Sequence, residues 1–374
     1  MAPPATSGPA ADGLVDRVRA LQPLIREHAP RTEQERRVTP EVVVALTNAG
    51  VYRMNVPRRY GGYQSPLRTQ VDALTEIAAA CGSAAFMALI QVGCAYIAAL
   101  FPDEAQDEIF TSPVVRVGGT LIPDATAVAR PDGSYIVNGT SAFATGYQDA
   151  DWHLLTVRVE PESRATSDNP PEPPALLWAA IPMTDLEILD DWYVSGLAGS
   201  GSNSVVARDV VVPAHRVLSV GPLLDGTIAS KTNADDPFYG MPVLLLFCAW
   251  TPPNALGLAR SALTEFTERI HHRGITYTFH ERQNEATVTH LQAAEAAMKI
   301  SCAELLTADF VAKIESRAAT GTPYTPEEQA RIRAERLHDP PLQGGRGPPS
   351  LRLPARPPCT ARSPSSGRSV TSTP

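Results

Sequence analysis

Asp132-Gly133-Ser134-Tyr135-Ile136-Val137-Asn138-Gly139 is the stretch on which the reading of the fold turns. Asp-Gly and Asn-Gly tolerate the positive φ of tight hairpin turns, so they are expected to bracket a short strand over Ser134–Val137. Beyond it come further strand-like runs: Trp152–Val159, Ala175–Ile181, Leu186–Leu189 and Ser204–Val212. Glu160–Pro174, rich in Pro, Glu and Ser, reads as a solvated loop between two of them. The segment 113–220 is therefore expected to be a compact antiparallel β domain, a small barrel or sandwich.

On both sides of this segment the apolar period lengthens to that of a helix. Thr39-Pro40-Glu41 is a helix start: a capping hydroxyl, a proline whose missing N–H costs nothing there, and a carboxylate at the positive helix end. Val42, Val43, Leu46 and Val51 form its apolar stripe, and Gly50 its stop. Gln70–Cys81 carries Val71, Leu74, Ile77 and Ala78 on one face. Ser83–Leu100 is apolar on every side and should be buried all round. After Phe238, Leu256–Ile270 and Thr289–Ile314 are long helical patterns. In the second, Leu291, Ala294, Met298, Cys302 and Leu305 fall on one stripe. A shorter pattern covers Pro326–Leu337. The expected chain is α+β: an N-terminal helical domain over 14–112, the β domain over 113–220, and a C-terminal helical bundle over 237–337.

The 374 residues, 43% hydrophobic and 19% charged, suit a globular enzyme rather than a fibrous chain. A formal net charge of -8 argues against nucleic acid or an anionic membrane as the main partner. Cys81, Cys94, Cys248, Cys302 and Cys359 form no CxxC or Cys/His spacing, so free thiols in a reducing cytoplasm are expected, and no metal site. The first residues lack the basic and apolar regions of a secretory signal. Pro242–Trp250, the most apolar stretch, is too short to span a bilayer. A cytoplasmic protein is expected.

Five segments, in order, carry a resemblance. Gly50-Val51-Tyr52-Arg53-Met54-Asn55-Val56-Pro57-Arg58-Arg59-Tyr60-Gly61-Gly62 resembles the N-terminal motif of acyl-CoA dehydrogenases and their flavin monooxygenase relatives. Asp132–Gly139 looks like their first β-domain hairpin. Ala142-Phe143-Ala144-Thr145-Gly146, followed by Ala150-Asp151-Trp152, is similar to the monooxygenase form of their flavin-facing strand. Gly196–Asn203 and Asp209–Arg216 complete the set, and the resemblance spans 14–337. The dehydrogenases carry Thr-Glu-Pro and Trp-Ile-Thr/Ser where this chain has Leu121-Ile122-Pro123 and Phe143-Ala144-Thr145. The sequence therefore resembles the reduced-flavin monooxygenases of aromatic catabolism and antibiotic pathways. That resemblance implies an acyl-CoA dehydrogenase fold in a homotetramer, reduced FAD or FMN supplied by a transiently bound flavin reductase, and O2 as co-substrate. It also implies a small aromatic or polyketide-type substrate, oxygenated by a C4a-hydroperoxyflavin.

Such chemistry needs a hydrogen-bond partner at flavin N5, a dry pocket, and a group that activates the substrate. The resemblance puts Thr145 at N5, Phe143 on the flavin-facing strand, and Gly119 with Thr120 at the isoalloxazine edge. Trp152 would wall the flavin, Ser200 in Gly199-Ser200-Gly201-Ser202 would hold its ribityl chain or phosphate, and Arg273 would reach flavin across a subunit interface. Each also has a plain structural reading: a strand threonine, a core tryptophan, a turn serine, a solvated arginine. His215 reads as a surface turn residue. Two positions depart from the family. Cys94 stands where many aromatic hydroxylases have a histidine that holds the substrate phenolate, and Asp149 stands where another histidine precedes Ala-Asp-Trp. Tyr147, Gln148 and Asp149 then become the polar candidates of the pocket. Asp149 would be a base if burial raised its pKa.

The last 36 residues, Asp339–Pro374, hold nine prolines and five arginines against one acid, with four aliphatic residues. Such a stretch buries too little to offset its ordering entropy, so disorder is expected over 338–374. Family members continue instead with two more bundle helices, and the composition here is that of a GC-rich gene read out of frame. The bundle is accordingly expected to be truncated, aggregation-prone and weak in flavin binding. Two other functions stand beside the monooxygenase: an FAD-dependent acyl-CoA dehydrogenase, and an inactive family member that keeps the fold.

Overall fold

The structure, a computed structural model, describes residues 12–160, 175–224, 226–322 and 324–337. The expected tail, and the expected loop beyond Glu160, lie outside them. Helices come first: α1 (Leu14–Ala20), α2 (Gln22–Glu35), α3 (Pro40–Ala49), α4 (Leu67–Ala78), α5 (Gly82–Ala98) and α6 (Asp103–Ile109). Strands follow: β1 (Val117–Gly119), β2 (Ala125–Ala129), β3 (Tyr135–Ser141), β4 (Trp152–Val159), β5 (Leu176–Pro182), β6 (Glu187–Ile188), β7 (Val205–Val212) and β8 (Val217–Ser219). The chain returns to helix in α7 (Val220–Leu224), α8 (Val243–Trp250), α9 (Pro252–Arg269), α10 (Thr287–Ala319) and α11 (Pro326–Leu337). Among the described residues no helix is long and apolar enough to cross a membrane.

The start and stop signals of α3 act in part as read. Pro40 opens it and Gly50 closes it at φ 92, its N–H bonded to the carbonyls of Leu46 and Thr47. Thr39 does not cap with its side chain; its hydroxyl pairs with His28 Nδ1 at 3.1 Å. A side chain that finds a tertiary partner leaves the helix end to water and the backbone.

The sheet is mixed, not wholly antiparallel as expected. Its order is β6-β7-β3-β2-β4-β5-β8, with β1 paired to β4. One edge of β4 takes β1 and then β2, both parallel, while β5 runs antiparallel along the other. Asp132-Gly133 turns β2 into β3, with Gly133 at φ 82. Asn138-Gly139 is not a turn. It lies inside β3, where the register against β7 shifts between Val137 and Gly139, and Asn138 exchanges hydrogen bonds with Asp209. The pair that suits a turn also suits a bulge, because both need backbone few residues adopt.

Side-chain alternation divides β4 and β5 between two cores. Leu155, Val157, Leu177, Ala179 and Ile181 pack within the sheet's own core, while Leu154, Trp178 and Ala180 join the helical core. That second core is centred on α5, in which every residue except Phe86 and Ile90 is buried. The long helix α10 departs from expectation. It buries Thr307, Phe310, Val311 and Ile314 near its C-terminal end. The stripe Leu291, Met298 and Leu305 is instead 66%, 64% and 72% exposed.

Candidate active site

Phe86 and Ile90 break the burial of α5 because they face a cavity. With Leu89, Cys94 and Ile97 they recur at helical spacing along one side of the helix. Phe247 of α8 joins them, and the space enclosed between these helices and the sheet is about 370 Å³. That lies within the range of small-molecule sites, roughly 300–1,000 Å³. A larger cleft of about 680 Å³ between the 226–243 segment and the end of α10 holds none of the expected site residues.

The sheet side of the cavity is built by two loops zipped together. Ala144 N–H donates to the Asn203 carbonyl at 2.9 Å, and Gly146 N–H to that of Ser200 at 3.0 Å. Between these rungs the buried hydroxyls of Thr145 and Ser202 meet at 2.8 Å, and that of Ser202 meets Ser200 at 2.7 Å. A second hydroxyl pair, Thr120 with Ser141 at 2.7 Å, sits at the end of β1. Gly119 approaches α5 so closely that a Cβ there would lie 2.9 Å from Cys94 Sγ and 3.1 Å from the Leu154 carbonyl oxygen. Phe143, at φ 65, turns its ring out at the mouth, 53% exposed and edge-on to Trp192 at 6.1 Å.

Residues 13–117 match the family of the acyl-CoA dehydrogenase N-terminal domain, and residues 249–339 that of its C-terminal domain. The chain is 31% identical to the FADH(2)-dependent resorcinol hydroxylase, oxygenase component, of Rhizobium sp. (strain MTP-10005), over 82% of this chain and 76% of that protein. It belongs to the flavin-dependent monooxygenase family with the acyl-CoA dehydrogenase fold. Among solved structures, 3-HSA hydroxylase from Rhodococcus sp. RHA1 superposes with a TM-score of 0.80 at 29% identity, covering 88% of this chain and 82% of that one. XiaF from Streptomyces sp., in complex with FADH2 and glycerol, gives 0.78 at 25% identity, covering 86% and 80%.

Within this monooxygenase fold, five of the residues expected to hold flavin line the cavity: Gly119, Thr120, Phe143, Thr145 and Ser200. Three expected site residues do not. Trp152 packs against the helical core under the Arg216 guanidinium, 5.0 Å from its ring centre. Asp149 lies in the turn after Gly146, 3.8 Å from Arg37. Burial raises its carboxyl above the usual range, against the pull of Arg37 and Arg116. Arg273 is exposed on the α9–α10 connection, its carbonyl accepting from the Gln283 N–H. His215, read as a turn residue, bonds Glu108 at 2.9 Å.

Ser202, expected only as part of the Gly199-Ser200-Gly201-Ser202 stretch, lines the cavity, as do Trp178 and Trp192, which the sequence did not single out. Ser202 lay in the quoted Gly-Ser stretch and stands two residues from Ser200, so its hydroxyl was within reach of recognition. Trp178 sits mid-strand, where alternation decides its face. Trp192 sits in a loop, and its Nε1 donates to the carbonyls of Leu197 and Ala198, a closure that only the folded chain displays. Cys94 is fully buried in the cavity wall, which pushes its thiol up to about 12.

Proposed function

We propose that this protein is the oxygenase component of a two-component system that hydroxylates an aromatic substrate. Reduced FAD or FMN would come from a separate flavin reductase and O2 would be the co-substrate. The observation that supports it most is the contrast of the two cavity walls. One offers backbone and hydroxyl groups, as the polar edge of a flavin requires; the other offers almost only carbon. When bound, reduced flavin supplies the electron pair that splits O2, one oxygen atom going to the substrate and the other to water.

The chain's own residues have roles that follow from their places. The Thr145 hydroxyl, held from behind by Ser202, would donate to or accept from flavin N5. Gly119 lets the backbone approach the ring edge, with the Thr120 hydroxyl beside it. Phe143 offers its ring at the mouth, and Ser200 a hydroxyl for the ribityl chain. Phe86, Leu89, Ile90 and Phe247 keep the facing wall dry, which slows loss of activated oxygen to water. Trp152 would steady the strand from beside the cavity, under Arg216, rather than touch flavin. Arg273 would meet the flavin of a neighbouring copy in a family-like tetramer, and the enzyme would work in the cytoplasm.

The test is turnover with isotopically labelled O2, a reductase, FAD or FMN, and candidate aromatic compounds. Label in a hydroxylated product supports the reading. Tightly held oxidised FAD that bleaches on adding an acyl-CoA, without labelled product, would replace it with the dehydrogenase reading.

A further inference from the structure

The α5 side of the cavity carries an inference about which form of the substrate enters. Its surface is the carbon of Phe86, Leu89, Ile90, Ile97 and Phe247, with Cys94 between them. Among the described residues lining the cavity, no side chain is charged and only the Cys94 thiol can ionise. Asp149 is turned toward Arg37 and is not in the wall. The polar groups that do face in are the hydroxyls of Thr120, Thr145, Thr251, Ser200 and Ser202, and the first and last pairs of these already bond one another or their neighbours.

We infer that this cavity takes its substrate as an uncharged aromatic molecule, and that none of the described side chains lining it removes a proton from it. An anion moved from water against this wall would lose its hydration and meet no cation among the described side chains that line it. Cys94 offers no positive charge, and burial keeps it as the neutral thiol, so no thiolate is there to take a proton. The substrate class follows. The ring must be electron-rich while neutral, as an indole or an alkoxyarene is, rather than one that becomes reactive only as a phenolate. This rests on the oxygenase reading above for its purpose, but the preference for a neutral ring concerns the cavity alone.

The probe is 4-nitrophenol, whose phenolate and phenol absorb differently and interconvert near neutral pH. It is titrated against the full chain at a series of pH values, without flavin, with Trp178 and Trp192 fluorescence as a second readout of occupancy. The expected result is that the bound probe is protonated. Its pKa rises by at least about one unit, equivalent to a tenfold preference for the neutral form. Indole should displace it, and Ile90→Trp, which fills the cavity, should abolish both signals. If that variant does not fold, displacement by indole alone locates the probe. Equal or tighter binding of the phenolate overturns the inference, and so does failure of both nitrophenol and indole to bind. Labelled hydroxylation with phenolate preference would sink this inference and leave the oxygenase standing; neutral preference without any oxygen transfer would do the reverse.

Discussion

The hydroxyl of Thr145 is held 2.8 Å from that of Ser202, away from water and on the wall of the cavity. Ser202 in turn meets Ser200 at 2.7 Å. Three hydroxyls joined by two hydrogen bonds have one proton left over, all three line the cavity, and Thr145, at one end, has the Phe143 carbonyl oxygen 3.4 Å away as a long alternative acceptor. Thr145→Ala should cost stability only about 0.5–1.5 kcal/mol, while raising the fraction of reduced flavin that ends as free hydrogen peroxide. Ser202→Ala should raise that fraction too, and cost more, about 1–3 kcal/mol, because it strands the buried Ser200 hydroxyl and leaves Thr145 only its long bond to the Phe143 carbonyl. Urea unfolding and peroxide yield measure the two effects separately. Peroxide yields equal to the parent in both variants would remove the pair from the site.

Gly119→Ala should both destabilise the chain and close the cavity. The new methyl would sit 2.9 Å from Cys94 Sγ and 3.1 Å from the Leu154 carbonyl oxygen, and overpacking of this kind costs about 1–3 kcal/mol. Adding Cys94→Ala relieves one of the two contacts, so the double variant should recover part of the loss. Additive effects of the two changes would show that Gly119 and Cys94 do not press on one another.

His153 gives the fold an acid limit. It is fully buried in β4, neither ring nitrogen has a hydrogen-bond partner, and burial lowers its pKa to about 4. In the unfolded chain the same ring titrates near ~6.5. As pH falls through that value the unfolded state takes up a proton that the folded state refuses until about 4. Stability therefore falls with pH across this window, by roughly 3 kcal/mol in full, and is independent of His153 above it. His153→Leu should be the flatter of the two proteins when unfolding is compared near pH 7 and about pH 5. Parallel slopes would mean that His153 does not titrate in this way.

The solvent-facing stripe of α10 should govern solubility more than stability. Leu291, Met298 and Leu305 are each more than half exposed, so replacing all three by lysine removes few packed contacts. The triple variant should stay monodisperse at concentrations where the parent scatters light, with Tm within a few degrees. A large drop in Tm would show that the stripe is packed in solution.

What the sequence made legible was periodic or local. The strand-like run Trp152–Val159 matches β4 end to end, and the unbroken apolar run of α5 signals its burial. The helical domain expected over 14–112 takes in α1 and α2, where Leu14, Val18, Leu21 and Ile25 recur at helical spacing; Pro30 lies within α2. The parallel pairing of β1 and β2 with β4 has no local signature, since it depends on where two loops cross. In the site, a motif located Thr145, Gly119, Thr120, Phe143 and Ser200. Ser202, Trp178 and Trp192 enter through tertiary closure, and Trp152, on the same face of β4 as Leu154, stays out of the cavity because it stands at the start of the strand under Arg216. The Leu291–Leu305 stripe shows the converse error: periodicity finds a helix face but does not say what covers it.

The two parallel partners of β4 also set an order of assembly. β4 cannot take its place until β1 and β2 have been made, and it holds nothing on its other edge until β5 follows. The cavity also needs Phe247, made long after Leu89, with which it shares a wall. Contacts so distant along the chain form slowly, because loop closure must be completed before they are rewarded. During synthesis the cavity side of α5, at Phe86, Leu89 and Ile90, therefore stays open until α8 has been made, although α4 and β1 cover its other sides much earlier.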